Sequence, residues 1–579
     1  MHLLFQALIL QSIPLLCTAA SNQRPFLFDD LAGGRILNAQ VEAAINSILK
    51  DFNTPGGVGV AVVQKTPESG WRVETKGYGL AKVDGTRATE DTLKLFDVLA
   101  TGLLISNRTL SPRISWDTKI ASFVPEWKLM DPTASSETTI QDAMSHRTGM
   151  PRHDFILPSD TVPNIIRRLR YLKPSTGFRE LWQYNNHMYT LLSYFPPLLT
   201  GIPFETYVND FILKPLGMNS TTYFSKTADE SSHLADGMGR DGVNQTEDVF
   251  GMGRVRAYPF WAPNEGKPGH VLSGAGGFDI ERERYGEGRH PVDGETVIPE
   301  DVIRRVASGV TVATPAAQFP ELSPIVYGGG QMRGTYRGFE FIEHGGSVLG
   351  FKSQITRIPN QNFGVAGKLD WCLIFIAPLS NKKYSVLSND EPFGTPIVEA
   401  IKFRIIDEVL NLEAIDWSAR FKSLITAGLN GRPMPTPRSK NPPLPSLPFG
   451  ALAGIYRDPG YGRLELCPVS VSPDSEKKRI TLASASASRS CRELIDEIPT
   501  RLPGTIVDPH IPTFIARWKG YGVTHVSFSH FEHNLFNVTG IFSIPTGNSS
   551  KSDKPYWVQS DTHPNFVAEF FFKGKTIGG

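Results

Sequence analysis

Past residue 20 the chain contains no apolar run long enough to cross a bilayer, a distance that takes about 20 consecutive apolar residues in a helix. It has no basic run either. With 59 Lys and Arg against 58 Asp and Glu, the formal net charge is +1. Neither nucleic acid as a partner nor a funnel for acidic substrates is therefore indicated. Clustered metal-ligand spacing such as His-x-x-x-His is missing, and no metal or organic cofactor is expected. No internal repeat of fixed period appears. Cysteine is scarce: Cys17, Cys372, Cys467 and Cys491 are all there are in 579 residues, too few for a disulfide-built scaffold.

What is present suits a globular protein with a substantial core, since 40% of residues are hydrophobic and 20% charged. The length exceeds one ordinary domain and implies two or three. Leu3 to Leu16 are mostly apolar, and Thr18-Ala19-Ala20 follow. This reads as a secretory signal over residues 1–20, with a buried N-terminal helix as the alternative. Asn-x-Ser/Thr acceptors at Asn107, Asn219, Asn244, Asn537 and Asn548 also favour export, and the expected location is secreted. In an oxidising compartment Cys467 and Cys491 are a candidate disulfide; two buried thiols are the alternative.

Residues 57–63 and 71–81 read as two strands joined by a polar turn. Leu95 to Leu104 is apolar enough for a buried helix, and a largely helical region follows to about residue 225. Strands return between 324 and 390. Residues 394–412 carry apolar residues at helical spacing and close the main domain. The order implies a sheet built from both chain ends with helices inserted between them. Pro433, Pro435, Pro437, Pro442, Pro443, Pro445 and Pro448 then make 431–449 an extended, semi-rigid linker. Residues 450–579 alternate in short segments with Gly and Pro turns, the pattern of a small antiparallel β domain. The fold class is thus α+β: an antiparallel sheet flanked by helices over 21–430, the linker, and an all-β domain over 450–579.

Two short motifs carry chemistry. Tyr184-Asn185-Asn186 sits between Trp182 and the helical face of Tyr189, Leu191 and Leu192. Taken alone it is also what a helix start with an Asn cap looks like. His344-Gly345-Gly346 lies between strand-like Phe339–Ile342 and Phe351–Ile358, and alone reads as a hairpin turn. Acyl transfer needs a nucleophile, a base for its proton, and donors for the developing oxyanion. A Tyr-x-Asn loop supplies a proton relay and an amide-binding side chain. A His or Lys on an edge strand contacts the substrate or the tyrosine, and glycines beside it let a substrate backbone approach.

With Ser145-His146-Arg147-Thr148-Gly149-Met150-Pro151, Lys214-Pro215-Leu216-Gly217-Met218, Gly274-Ala275-Gly276-Gly277 and Asp416-Trp417, these motifs resemble the serine β-lactamase and penicillin-binding-protein-like family, in its class C branch. The order and spacing match over roughly residues 35–420, and the linker and β domain resemble the extension of some fungal members. The resemblance implies an acyl-enzyme hydrolase or acyltransferase acting on an ester, amide or lactam. It implies Lys94 as the lysine of Ser-x-x-Lys, since Lys94-Leu95-Phe96 resembles the Lys-x-Phe of that motif. Tyr184 would be the relay tyrosine, Asn186 its companion, and His344 would stand where others carry Lys. Gly345 and Gly346 would border the substrate, and the Ser347 backbone N–H would be one oxyanion donor. His146 is expected to cap or pack, and Pro215–Gly217 to turn the chain.

The chain departs from that pattern at three places. Asp91 stands three places before Lys94, where the serine belongs, and about seven residues are missing between Leu93 and Lys94. Thr92 is two places from the lysine and would point to another face of a helix. Phe363-Gly364-Val365-Ala366 and Val386-Leu387-Ser388-Asn389-Asp390 read as halves of one strand and its turn, interrupted by residues 367–385. That piece holds Cys372 and the apolar run Leu373–Ala377, which an exposed insertion would not easily carry. The expectation is a translated intron; an ordinary surface insertion is the alternative. Phe278 to Glu287 is charged where the family has a helix. A chain without the serine also fits a protein that keeps the cleft and binds a ligand without turnover.

Overall fold

The computed structural model describes residues 35–578 apart from 67–69, 89–97, 155–159, 218–221, 224–226, 228–229, 231–233, 242, 245–246, 259–294, 349, 360–362, 366–381, 432–435, 472–479, 484–487, 498–507, 509, 521–522, 545–555, 560–565 and 574–575. The expected signal, Lys94, the glycine turn at 274–277, the charged run at 278–287, Cys372, Asn219 and Asn548 lie outside the described residues.

Helix α1 (Ala39–Asp51) opens on Asn38, whose side chain accepts from the Gln40 and Val41 N–H groups at 3.0 Å each. That satisfies two of the donors a helix start leaves unpaired. Val41, Ile45, Ile48 and Leu49 fall on its buried face. Strands β1 (Gly57–Thr66) and β2 (Gly70–Gly79) form a hairpin. Alternate residues Val58, Val60 and Val62 of β1 enter one core with α1. The helical region follows: α2 (Val98–Ser106), α3 (Pro132–Glu137), α4 (Ile140–Met144), α5 (Val162–Arg168), α6 (Asn186–Ser193), α7 (Phe195–Thr200) and α8 (Phe204–Val208). These helices share a second core with α9 (Glu300–Ala307).

A small hairpin of β3 (Gly237–Asp241) and β4 (Arg254–Tyr258) was not expected from the sequence; it is polar and rich in glycine and arginine. The strands β5 (Thr311–Thr314), β6 (Ile325–Tyr327), β7 (Met332–Tyr336), β8 (Phe339–Val348), β9 (Phe351–Ile358), β10 (Phe363–Val365) and β11 (Lys382–Ser388) complete the main sheet. It has nine strands, and β1 from the start of the chain pairs with β10 and β11 from its far end, with β2 at the edge beside β1. Helix α10 (Gly394–Val409) covers the same face as α1. The main unit does not end there. Asp416 caps a further helix, α11 (Trp417–Asn430), and Trp417 stacks on Phe403 with centroids 4.3 Å apart.

The register of β10 and β11 bears on the interrupted strand. Val365 and Tyr384, nineteen positions apart (365 to 384), both sit opposite Thr356 of β9. Gly364 and Lys383 both sit opposite Arg357. Against β1, Gly364 faces Val63 and Tyr384 faces Val62, so both pieces belong to one lane of the sheet. Removing 367–385, which is nineteen residues long, carries Ala366 into the place of Ser385 and leaves Val386 in its own register. We expect a chain lacking 367–385 to fold with a higher melting temperature than the full chain, because it closes the lane without a break. Failure of that variant to fold would identify the piece as a structural part of the protein.

A second sheet follows the linker, with strands β12 (Gly454–Asp458), β13 (Gly462–Val471), β14 (Ile480–Leu482), β15 (Thr513–Gly520), β16 (Val523–Glu532), β17 (Leu535–Ile544), β18 (Tyr556–Gln559) and β19 (Phe566–Glu569). All its pairings are antiparallel. This region is not purely β, because α12 (Arg489–Glu497) packs on it. Cys467 of β13 and Cys491 of α12 form a disulfide with Cα atoms 5.5 Å apart. The proline-rich segment is tied down at several points. Arg438 Nε donates to the His530 carbonyl at 2.7 Å, and the His533 N–H donates to the Pro443 carbonyl at 2.7 Å.

Candidate active site

The Ser-His element builds the loop that carries Tyr184. Asp142 is fully buried and closes a capping box with Thr139 at the start of α4. It also pairs with Arg147 at 2.7 Å and Arg179 at 2.6 Å, tying the two loops together. These partners outweigh burial and hold its carboxyl below the usual range. The His146 carbonyl accepts from the Gln183 N–H at 2.8 Å, and His146 Nδ1 accepts from the Asn185 N–H at 3.2 Å. His146 itself adopts φ +54° and has no exposed surface. Its ring lies 4.3 Å from that of Tyr184, 4.9 Å from Tyr189 and 5.2 Å from Tyr327. Burial, then the neighbouring His344, hold its imidazole well below the ordinary histidine range. With Nδ1 accepting, the neutral ring carries its proton on Nε2. That atom and Trp182 Nε1 are buried with no hydrogen-bond partner among the described residues.

Of the two readings of Tyr184-Asn185-Asn186, the helix start with an Asn cap is the one the structure shows. Asn185 caps α6, its Oδ1 accepting from the His187 N–H at 2.8 Å and its Nδ2 donating to the Pro151 carbonyl at 2.6 Å. The cap leaves Tyr184 just ahead of the helix, against His146. Asn186 Nδ2 donates to Asp154 Oδ1 at 2.9 Å. The Arg152 guanidinium lies 5.3 Å from the centre of the Tyr184 ring.

His344-Gly345-Gly346 is not a hairpin turn. It lies inside β8, and the chain reverses only after Val348. Pairing of β7 with β8 stops at Met332–Glu343, whereas β8 stays paired with β9 through Val348. Gly345, Gly346 and Ser347 are exposed there, past the end of β7. A Cβ on Gly346 would fall 2.3 Å from Ser353 Oγ, so any larger residue there would displace that hydroxyl.

His344 meets the tyrosine side through Tyr327, a residue the sequence reading missed. Tyr189 donates to the Met144 carbonyl at 2.9 Å, and its oxygen lies 3.3 Å from that of Tyr327. Tyr327 in turn lies 3.2 Å from His344 Nε2. His344, Tyr327 and Tyr189 thus form one hydrogen-bonded line that ends on the Met144 carbonyl. Burial raises the Tyr327 phenol well above its ordinary range and lowers the His344 imidazole. Tyr327 is fully buried and contacts His146 and Trp182 as well. Tyr184 and His344 therefore border one cluster of rings, although 160 positions separate them in the sequence. No sequence pattern marks Tyr327; a tyrosine ahead of three glycines carries no periodicity.

Beneath this strand lies a buried ion group. Lys402 Nζ is 3.0 Å from Glu343 and 2.6 Å from Glu399, and Thr356 donates to Glu343 at 2.8 Å. Among the described residues no group of three or more His, Cys, Asp or Glu is gathered as a metal site requires, and no helix is long and apolar enough to cross a membrane. Of the glycosylation candidates, Asn107, Asn244 and Asn537 are exposed.

A sheet built from both chain ends with an inserted helical region, carrying a Tyr-x-Asn loop and a His-Gly-Gly strand, defines a class. The chain belongs to the beta-lactamase family, whose model matches residues 45–386. Among curated proteins, an unguisins hydrolase of Aspergillus violaceofuscus is 28% identical over 467 residues, 74% of this chain and 76% of its own length. Another, of Aspergillus campestris, is 29% identical over 459 residues, 75% of this chain and 78% of its own. Among solved structures, the octameric penicillin-binding protein homologue from Pyrococcus abyssi aligns at 15% identity with a TM-score of 0.48, over 86% of this chain and 97% of that one.

Proposed function

We propose that the protein is a secreted, glycosylated serine hydrolase that cleaves an ester, amide or lactam through an acyl-enzyme. The nucleophile comes from a serine-bearing segment of about seven residues absent from this sequence ahead of Lys94. The observation that carries the reading is the shared ring cluster of Tyr184 and His344. The two Aspergillus relatives named as unguisins hydrolases support hydrolysis as the reaction.

In this scheme the Lys94 amine takes the serine proton, with the Tyr184 phenol in the relay. The serine oxygen bonds to the carbonyl carbon. The oxyanion rests on the Ser347 N–H and the serine's own N–H. The bond to the leaving group breaks, the leaving group takes the relayed proton, and water then hydrolyses the acyl ester. Transfer to another acceptor uses the same residues. Asn186, Gly345 and Gly346 hold the substrate, and His344 faces its acyl side. The second reading, a protein that binds the same ligands without turnover, rests on one observation: the written sequence has Asp91 where the nucleophile belongs.

The experiment is labelling with a fluorophosphonate, comparing the chain as written with one encoded by the spliced message. Expected is a single adduct on a serine three places before the lysine in the second chain and none in the first. A spliced message that encodes this chain unchanged, with ligand binding intact, selects the second reading.

A further inference from the structure

One hairpin of the second sheet reaches the loop that holds Asn186. The turn between β12 and β13 is fixed by Asp458, whose Oδ1 accepts from the Gly460 N–H at 2.7 Å and the Tyr461 N–H at 2.9 Å. The Gly460 carbonyl accepts from Arg168 Nη1 at 3.1 Å. A Cβ on Gly460 would fall 2.8 Å from Leu172 Cδ2, so the turn lies directly on the helical region. From this anchored turn the Tyr461 hydroxyl reaches His153 Nδ1 at 2.8 Å.

The direction of that bond is determined. His153 Nε2 lies 3.0 Å from the Lys173 carbonyl, which can only accept. The neutral ring therefore carries its proton on Nε2, and Tyr461 must donate to Nδ1. The backbone of the same residue is the next link, because the His153 carbonyl accepts from His187 Nε2, on the first turn of α6. Its neighbour Asp154 accepts from Asn186. The 153–154 segment thus holds two consecutive residues of the α6 start, and Tyr461 holds the segment.

We propose that Tyr461 is a positioning residue for the hydrolase site: by donating to His153 it fixes the 153–154 segment and, through it, the Asn186 side chain. The second sheet is then a working part of the cleft wall and not an appendage. The proposal rests on the reading of Tyr184-Asn185-Asn186 as the Tyr-x-Asn element.

The test is Tyr461→Phe, which keeps the ring and removes the hydroxyl, with Arg463→Ala on an exposed pair of the same hairpin as control. In the full chain, amide exchange at residues 186–188 should quicken about tenfold in Tyr461→Phe. The 15N resonance of His153 Nδ1 should shift, and neither change should occur in the control. In the serine-bearing enzyme, kcat should fall about tenfold with KM nearly unchanged, as displacement of a catalytic group predicts. Unchanged exchange at 186–188 together with an unshifted His153 resonance would overturn the proposal. Because those two readouts need no turnover, they decide it even if no substrate is cleaved. Should Tyr461→Phe unfold the chain, Tyr461→His, which restores a donor, decides by whether it recovers the exchange pattern.

Discussion

The chain as written should turn over no ester or amide above background, whereas the chain with its serine-bearing segment should turn over by acyl-enzyme kinetics. The expected difference in kcat is on the order of a millionfold, the loss that follows removal of a nucleophile from a relay whose members act as a unit. A burst of leaving group equal to the enzyme concentration, followed by slower release, would mark the acyl-enzyme. Tyr184 and His344 are already arranged about His146 and Tyr327, so the cluster is built whether or not a hydroxyl stands beside it. Appreciable turnover by the serine-less chain would mean that a different group attacks.

Replacing Lys402 by Met should destabilise the main unit by about 3–5 kcal/mol, the usual cost of leaving a buried charge without its partner. Lys402 is almost wholly buried and faces Glu343 and Glu399, so its loss leaves two partly buried carboxylates together without their cation. Burial alone would lower the Lys402 amine, but the two carboxylates more than offset this and hold it above the ordinary lysine range. With the folded value raised, its contribution is complete below the unfolded lysine range and is lost only as pH climbs through the raised one. It is thus constant near neutrality. In the Met variant the penalty should shrink as pH falls from 8 to 5, because burial pushes the Glu399 carboxyl up and acid then neutralises it. Thermal melts at the two pH values measure both effects. Equal melting temperatures for variant and parent would show that the ion group contributes nothing. Glu343 precedes His344 on β8, so the same change should also loosen the histidine.

Most of the sheet was legible because its strands are apolar or alternating, as in Val58, Val60 and Val62, and bounded by glycine and polar turns. The interrupted strand was legible for a different reason: Phe363–Ala366 and Val386–Asp390 read as halves of one strand and its turn, and the register then places both pieces in one lane. Helix α12 was not. Its apolar residues, Cys491, Leu494 and Ile495, keep helical spacing but are few among charges, and the disulfide and the sheet supply the rest of its stability. The β3–β4 hairpin was hidden by its polar sequence, since its support comes from Arg240 bonding to Asp390 and to the end of α1. In the site, Tyr184 and His344 carry short motifs, whereas Tyr327 and Tyr461 are joined to it only by folding. No local pattern announces a phenol that works across a sheet or between two units.

The most direct measurement is the mass of the peptide spanning residues 85–100 in protein taken from its native source after fluorophosphonate treatment. The account predicts a peptide longer than the one written here by about seven residues, bearing one adduct on a serine three places before the lysine. A native peptide with the mass that Glu90-Asp91-Thr92-Leu93-Lys94 dictates, and no adduct, would contradict it.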